Sequence, residues 1–175
     1  LPDKLYSEIV DYFGVPVIEM YGMSETAGVI TSNPLPPREQ KIGSVGVPVN
    51  CEIEIRNDKE VWVKSAGLFS GYARSEENED LWDEEWFFTG DLGSLDQDGY
   101  LFLNGRAKEV INRGGQKISP KEIDELVESW PEVKEAAAFG FAHPTLGEEV
   151  GLALVLNDDL SDEKIRTRKS ACVSV

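Results

Sequence analysis

The chain has 175 residues, 41% of them apolar, and carries 33 Asp plus Glu against 17 Lys plus Arg. That length accommodates one full core or parts of two domains, and the ten carboxylates between Glu76 and Asp98, with no Lys or Arg among them, would repel a nucleic-acid backbone. Two distant cysteines, Cys51 and Cys172, with a single histidine exclude a disulfide framework and a zinc cluster, and no apolar run reaches the roughly 18 residues of a membrane helix.

The first residues do not form a signal peptide, so a reducing, cytoplasmic setting is expected. Because the chain starts at Leu1 rather than Met, an earlier segment is expected to precede it. Leu5, Ile9, Val10 and Phe13 recur at helical spacing, and Gly14 suits the helix C-cap. Val15 to Met20 reads as a buried strand that delivers Tyr21-Gly22-Met23-Ser24-Glu25-Thr26 at its end, where α/β folds place ligands. Asn33 to Gln40, with three prolines, reads as an exposed connection, and Gly43 to Pro48 follows it. Cys51 to Arg56 alternates like a half-buried strand, Asn57-Asp58 turns, and Glu60 to Lys64 returns. Ala66 to Tyr72 is a small, glycine-containing stretch, and Ser75 to Trp82 reads as an acidic helix capped by Ser75.

Trp86-Phe87-Phe88 is an apolar run that ends in Thr89-Gly90-Asp91, where Gly90 leaves room for a flat ligand beside the carboxylate. Asp91 can then accept two hydrogen bonds from a vicinal diol. Asp96-Gln97-Asp98-Gly99 predicts a hairpin turn, with a strand from Tyr100 to Leu103 leading to Arg106, whose fork suits hydroxyl or phosphate oxygens. Glu109 to Ile111 reads as a short strand, and Arg113-Gly114-Gly115 as bare backbone beside which an extended ligand could lie. Ser119-Pro120-Lys121-Glu122 has the pattern of a capping box opening a helix to Trp130. Val133 to Phe141 and Val150 to Leu156 read as two strands joined by a loop holding His143, for which a structural role is expected because no Ser/His/Asp or Cys/His set surrounds it. A last helix is expected from Ser161, and the tail from Thr167 to Val175 shows no helical periodicity, which points to a truncation or frameshift near Arg166.

Four of these pieces, in this order, resemble the motifs of the adenylate-forming superfamily: Tyr21-Gly22-Met23-Ser24-Glu25, Phe88-Thr89-Gly90-Asp91, Gly105-Arg106-x-Lys108-x-x-Ile111, and Gly114-Gly115-x-x-Ile118-x-Pro120-x-Glu122-Ile123. Ser24 stands where Thr is commoner, and Lys59 where that family usually has Gly. The resemblance implies a mixed α/β and α+β chain: the end of the large adenylate-forming domain with a small β-subdomain, then a small mobile α+β C-terminal domain. Residues 1–107 would belong to the AMP-binding large domain and 108–175 to an incomplete C-terminal domain, with 167–175 aberrant.

It further implies that Tyr21 stacks on adenine with Gly22 beside it, Ser24 bonds phosphate, Glu25 holds Mg²⁺, and Asp91 and Arg106 hold the ribose. Lys108 would be the hinge between two catalytic poses, Asn112 would lie near the nucleotide, and Gly114 and Gly115 would line the path of CoA. The implied parent is an ATP-dependent acid–CoA ligase of the fatty-acid or small-acid type, taking a carboxylic acid, ATP, Mg²⁺ and CoA. An adenylation domain loading a carrier protein and a non-catalytic nucleotide-binding module are the alternatives. Neither the family's Ser/Thr/Gly-rich loop ending in Lys nor its late Gly-Lys motif with the catalytic lysine occurs here, so this chain alone is expected to form no acyl-adenylate.

Overall fold

The computed structural model describes residues 3–57 and 59–157, which divide into two compact units, Leu1–Lys108 and Glu109–Val175. The chain is mixed α and β, mostly sheet, and every ladder among the described residues is antiparallel. The expected last helix from Ser161 and the tail from Thr167 lie outside the described residues.

The first unit opens with helix α1, Asp3–Phe13, which ends where expected: the Gly14 N–H reaches Val10 O at 2.9 Å with φ at +66°. The buried strand expected from Val15 to Met20 does not form. Strand β1 begins only at Met20 and runs to Met23; a strand needs a neighbour to take its hydrogen bonds, and among the described residues 16–19 belong to no ladder, although the Asn33 N–H donates to Glu19 O at 2.9 Å. A 3₁₀ turn, Ser24–Thr26, returns the chain into β2, Gly28–Ser32, and β3, Val47–Pro48, completes a sheet of order β1-β2-β3. The connection from Asn33 to Gln40 is exposed only in part. Asn33 is buried, its amide donating to Ser44 O and its Oδ1 accepting the Lys41 N–H, which staples both ends of the loop.

The β-subdomain is a second sheet. Strands β4, Glu52–Arg56, and β5, Glu60–Lys64, form the expected hairpin, followed by β6, Trp82–Asp83, β7, Trp86–Leu95, and β8, Leu101–Arg106. Its order is β4-β5-β7-β6, with β8 paired to β7. Ile30, Val61, Val63 and Leu101 are fully buried between the two sheets and form the core of the unit. Lys59, in the β4–β5 turn, has φ of +73°, which explains why a glycine suits that place. Lys59→Gly is expected to raise stability by about 0.5 kcal/mol, the left-handed strain relieved less the entropy glycine adds to the unfolded chain. A urea midpoint that fell would contradict it.

Ser75 to Trp82 is not a helix. Only Ser75–Asn78 makes a 3₁₀ turn, with Arg74 rather than Ser75 at its N-cap. Asn78 instead turns back, donating to Tyr72 O and Arg74 O, Asp80 takes φ of +60°, and like charges at Glu76 and Asp80 oppose a continuing helix. Trp82 is needed elsewhere, against Phe87 at 5.2 Å between rings. The Asp96–Gly99 hairpin turn forms as expected, Gly99 with φ of +81°, and Lys41 clamps it by ion pairs to Asp96 and Asp98.

In the second unit the strand expected at Glu109–Ile111 is replaced by a 3₁₀ turn, Ala107–Glu109, at the junction, followed by β9, Ile111–Arg113. Gly114 and Gly115 form a tight turn into β10, Gln116–Ile118. Helix α2, Pro120–Glu128, starts at Ser119 as N-cap with Pro120 at N1, but without the side-chain hydrogen bond of a capping box. Strands β11, Val133–His143, and β12, Gly147–Leu156, are longer than expected and pair as far as His143 and Gly147, leaving only three residues between them. The sheet order is β10-β9-β12-β11, so β11 is an edge, and α2 covers it: Asp124 and Glu128 accept the Ala138 and Ala136 N–H groups that no strand takes.

Candidate active site

The alternation of β7 turns Phe87, Thr89, Asp91 and Gly93 inward, so Asp91 lies in mid-strand rather than at a strand end. Trp62 pairs with Phe88 and Glu60 with Leu92, which leaves Thr89, Gly90 and Asp91 bulged opposite Val61. Thr89 fills the bulge: its hydroxyl donates to Val61 O at 3.0 Å and accepts the Asp91 N–H at 3.1 Å. On the other side of β7, Asp91 and Arg106 are direct partners in the ladder.

The result is a buried carboxylate held from two sides. Tyr21 Oη donates to Asp91 Oδ2 at 2.6 Å and Arg106 Nε to Asp91 Oδ1 at 2.9 Å. Asp91 is only 6% exposed, so its charge needs these two donors. Burial, and next the hydrogen bond to Asp91, push the Tyr21 hydroxyl far above the ordinary tyrosine range, so it remains a donor throughout neutral pH. A carboxylate has about four acceptor positions, so a pair of hydroxyls can still bond Asp91. Beside it Gly90, with φ of +79°, has no atom other than those of its chain neighbours within 4 Å of where a Cβ would stand. The Tyr21–Asp91 bond was not legible in the sequence, 70 positions apart.

Gly22 has a packing role. A Cβ there would lie 2.1 Å from Gly28 O, so the β1–β2 hairpin closes only around glycine. The turn after it is built on Thr26, whose buried hydroxyl lies 2.9 Å from Met23 O and 2.8 Å from Gly28 O. This turn carries the exposed Ser24 and the half-exposed Glu25. Glu25 Oε1 accepts the Tyr72 hydroxyl at 2.5 Å, a partner that the Ala66–Tyr72 stretch did not disclose. Its Oε2 has no hydrogen bond among the described residues, and no group of three His, Cys, Asp or Glu is gathered there or elsewhere among them. One carboxylate oxygen fits a magnesium ion that keeps waters and phosphate oxygens, not a full protein cage.

The remaining sequence candidates lie in or beside the second unit. Lys108 is exposed in the junction turn, the last residue of the first unit. Gly114 and Gly115 have φ of +58° and +89°, the consecutive left-handed angles of a tight turn that favours glycine, and both are exposed. Their turn is braced by its neighbours: Asn112 Oδ1 accepts the Gly115 N–H, the Asn112 N–H donates to Glu148, the Gly114 N–H to Leu146 O, and Arg113 pairs with Glu149. His143 Nδ1 accepts the N–H groups of Thr145 and Leu146 at 3.3 Å, closing the β11–β12 turn, the structural role expected of it. Tyr21, Asp91 and Arg106 are thus brought together, Gly22, Ser24 and Glu25 follow Tyr21 on the β1–β2 hairpin, and Asn112, Gly114 and Gly115 form a separate turn in the second unit.

The sequence profile described as AMP-binding enzyme matches residues 1–73. An oxalate–CoA ligase of Arabidopsis thaliana is 41% identical over 167 residues, 89% of this chain and 32% of that protein. A sulfoacetate–CoA ligase of Cupriavidus necator is 37% identical, covering 90% of this chain and 33% of its own length. The o-succinylbenzoate coenzyme A synthetase of Bacillus subtilis, solved with ATP and magnesium ion, superposes with a TM-score of 0.79 at 32% identity over 95% of this chain and 37% of that one. The chain spans about a third of the length of the curated relatives it matches. Among the described residues no helix is long and apolar enough to cross a membrane.

Proposed function

The chain belongs to the AMP-binding enzymes of the adenylate-forming superfamily, of acyl-CoA synthetase type, and from that membership we propose that it is the nucleotide- and thiol-handling part of an ATP-dependent acid–CoA ligase. The parent joins a carboxylic acid to the α-phosphate of ATP, releases pyrophosphate, and passes the acyl group to the thiol of CoA with release of AMP. Residues 1–107 are the end of the large domain in this proposal, residues 108–175 the start of the C-terminal domain, and Lys108 the hinge between them.

The observation that carries the proposal is the buried Asp91 carboxylate, fixed by Tyr21 and Arg106 beside Gly90. Such a group prefers a rigid pair of hydroxyls, which is what a ribose offers, and its contribution is orientation of the nucleotide. Tyr21 and Gly22 frame the adenine, and Ser24 reaches the phosphates. Glu25 holds Mg²⁺, which when bound offsets the charge developing on the phosphates. Gly114 and Gly115 leave backbone bare along the thiol's path, with Asn112 bracing their turn. CoA rather than a carrier protein is the acceptor, a choice supported by the CoA-ligase names of the relatives. The cytoplasmic setting belongs to the same proposal.

Calorimetric titration of the chain with AMP and with 2′,3′-dideoxy-AMP tests it. Two hydrogen bonds from the ribose to a charged, buried acceptor are expected to make AMP bind on the order of 100-fold more tightly. Equal affinities, or no binding of AMP, would sink the proposal.

A further inference from the structure

Tyr72 is held in place from three directions. Its N–H donates to Asn78 Oδ1 at 2.7 Å and its carbonyl accepts from Asn78 Nδ2 at 3.0 Å, so one side chain clamps its backbone. Gly71 makes that clamp possible, since a Cβ there would stand 2.8 Å from Asn78 Oδ1. Its ring packs edge-on against Phe69 at 4.9 Å, and Phe69 packs against the fully buried Phe87 at 5.3 Å, which ties the ring to the core of the β-subdomain. The hydroxyl then reaches Glu25 Oε1 at 2.5 Å. The backbone joins in, because the Phe69 N–H donates to Glu25 O at 2.8 Å.

A side chain so constrained by its own subdomain does not follow Glu25; it fixes it. A glutamate on a one-turn helix has three rotatable bonds, and a charge-assisted O–H···O⁻ bond to a rigid donor selects one arrangement of them. One oxygen is then occupied and the other is presented outward. Resting on the nucleotide reading above, we propose that Tyr72 is a positioning residue for the divalent cation: it holds the Glu25 carboxylate so that Oε2 faces the metal–nucleotide complex. Partners of this kind behind a ligating group typically alter metal affinity 10- to 100-fold.

The test uses Mn²⁺ as the probe, with α,β-methylene-ATP and the whole chain, bound Mn²⁺ being read by its electron paramagnetic resonance signal. Tyr72→Phe keeps the ring packing and the Asn78 clamp, so the fold is retained, which circular dichroism checks. The expected result is about 10-fold weaker Mn²⁺ binding in the ternary complex, with AMP affinity in EDTA changed less than about 2-fold, within the non-interacting range for residues that share no partner. Glu25→Gln is expected to lose the Mn²⁺ site, and adding Tyr72→Phe to it should cost nothing further. Unchanged Mn²⁺ affinity in Tyr72→Phe, additive losses in the double variant, or no Mn²⁺ binding by the parent chain overturns the inference. If the parent chain fails to bind AMP in EDTA, the nucleotide reading itself has failed, and the two failures are told apart by that control.

Discussion

Gly46→Ala is expected to destabilise the unit Leu1–Lys108 by about 4 kcal/mol or more, enough to remove its cooperative unfolding transition. The reason is space more than backbone angle. A Cβ on Gly46 would stand 1.9 Å from Ser32 C and 2.0 Å from Asn33 N, and those backbone atoms belong to a sheet that cannot shift independently. Gly46 O also accepts the Leu101 N–H, while Val45 N–H donates to Leu101 O, so the crowded point is where the two sheets are sewn together. Gly43, three residues earlier, supplies the control. It too has positive φ, +80°, yet a Cβ there meets nothing within 4 Å. Gly43→Ala should therefore cost only about 1 kcal/mol, the left-handed strain alone. Urea unfolding of both variants checks the pair, and similar losses would show that angle rather than close approach sets the cost.

Asp91→Asn is expected to lower AMP affinity on the order of 100-fold and to leave 2′,3′-dideoxy-AMP nearly unaffected. An amide keeps one acceptor oxygen, but its NH₂ group is a donor facing donors, because Arg106 Nε and the ribose hydroxyls both need acceptors. The fold should survive. The Arg106 side chain is 59% exposed, so water takes over its charge, and the Tyr21 hydroxyl can turn to accept from the amide. Titration of the variant with both nucleotides reads the result: if both nucleotides weaken equally, Asp91 acts through the fold rather than through the ribose.

The same substitution shows where reading the chain in one dimension ends. The resemblance joined Asp91 and Arg106 and the Asp96–Gly99 turn was legible, but the turn's regular register would set Asp91 against Gly105; a bulge between Leu92 and Gly93 makes Arg106 its partner. The motif implies a place for Tyr21 at the nucleotide, but its bond to Asp91 depends on one sheet packing on another. The Ser75–Trp82 segment failed as a helix for a related reason: its acidic run has helical composition, while Asn78 and Trp82 are claimed by Tyr72 and Phe87. Val15–Met20 failed as a strand because apolar content does not supply a hydrogen-bonding neighbour. Lys59 and Gly46 show the reverse, where a departure from a motif and an unremarkable glycine acquire meaning only from φ and from the atoms that crowd a missing Cβ.

By itself the sequence determined the resemblance to the adenylate-forming superfamily, the β4–β5 and β7–β8 hairpins and the helix start at Pro120, since each rests on local spacing, turn chemistry or a contiguous motif. Only the tertiary structure decided that Asp91 is buried in mid-strand on a bulge, that Tyr21 holds it, and that Tyr72 holds Glu25. Those contacts join residues up to 70 positions apart through the packing of separate sheets and loops, and no local pattern along a chain encodes which distant side chain will arrive there.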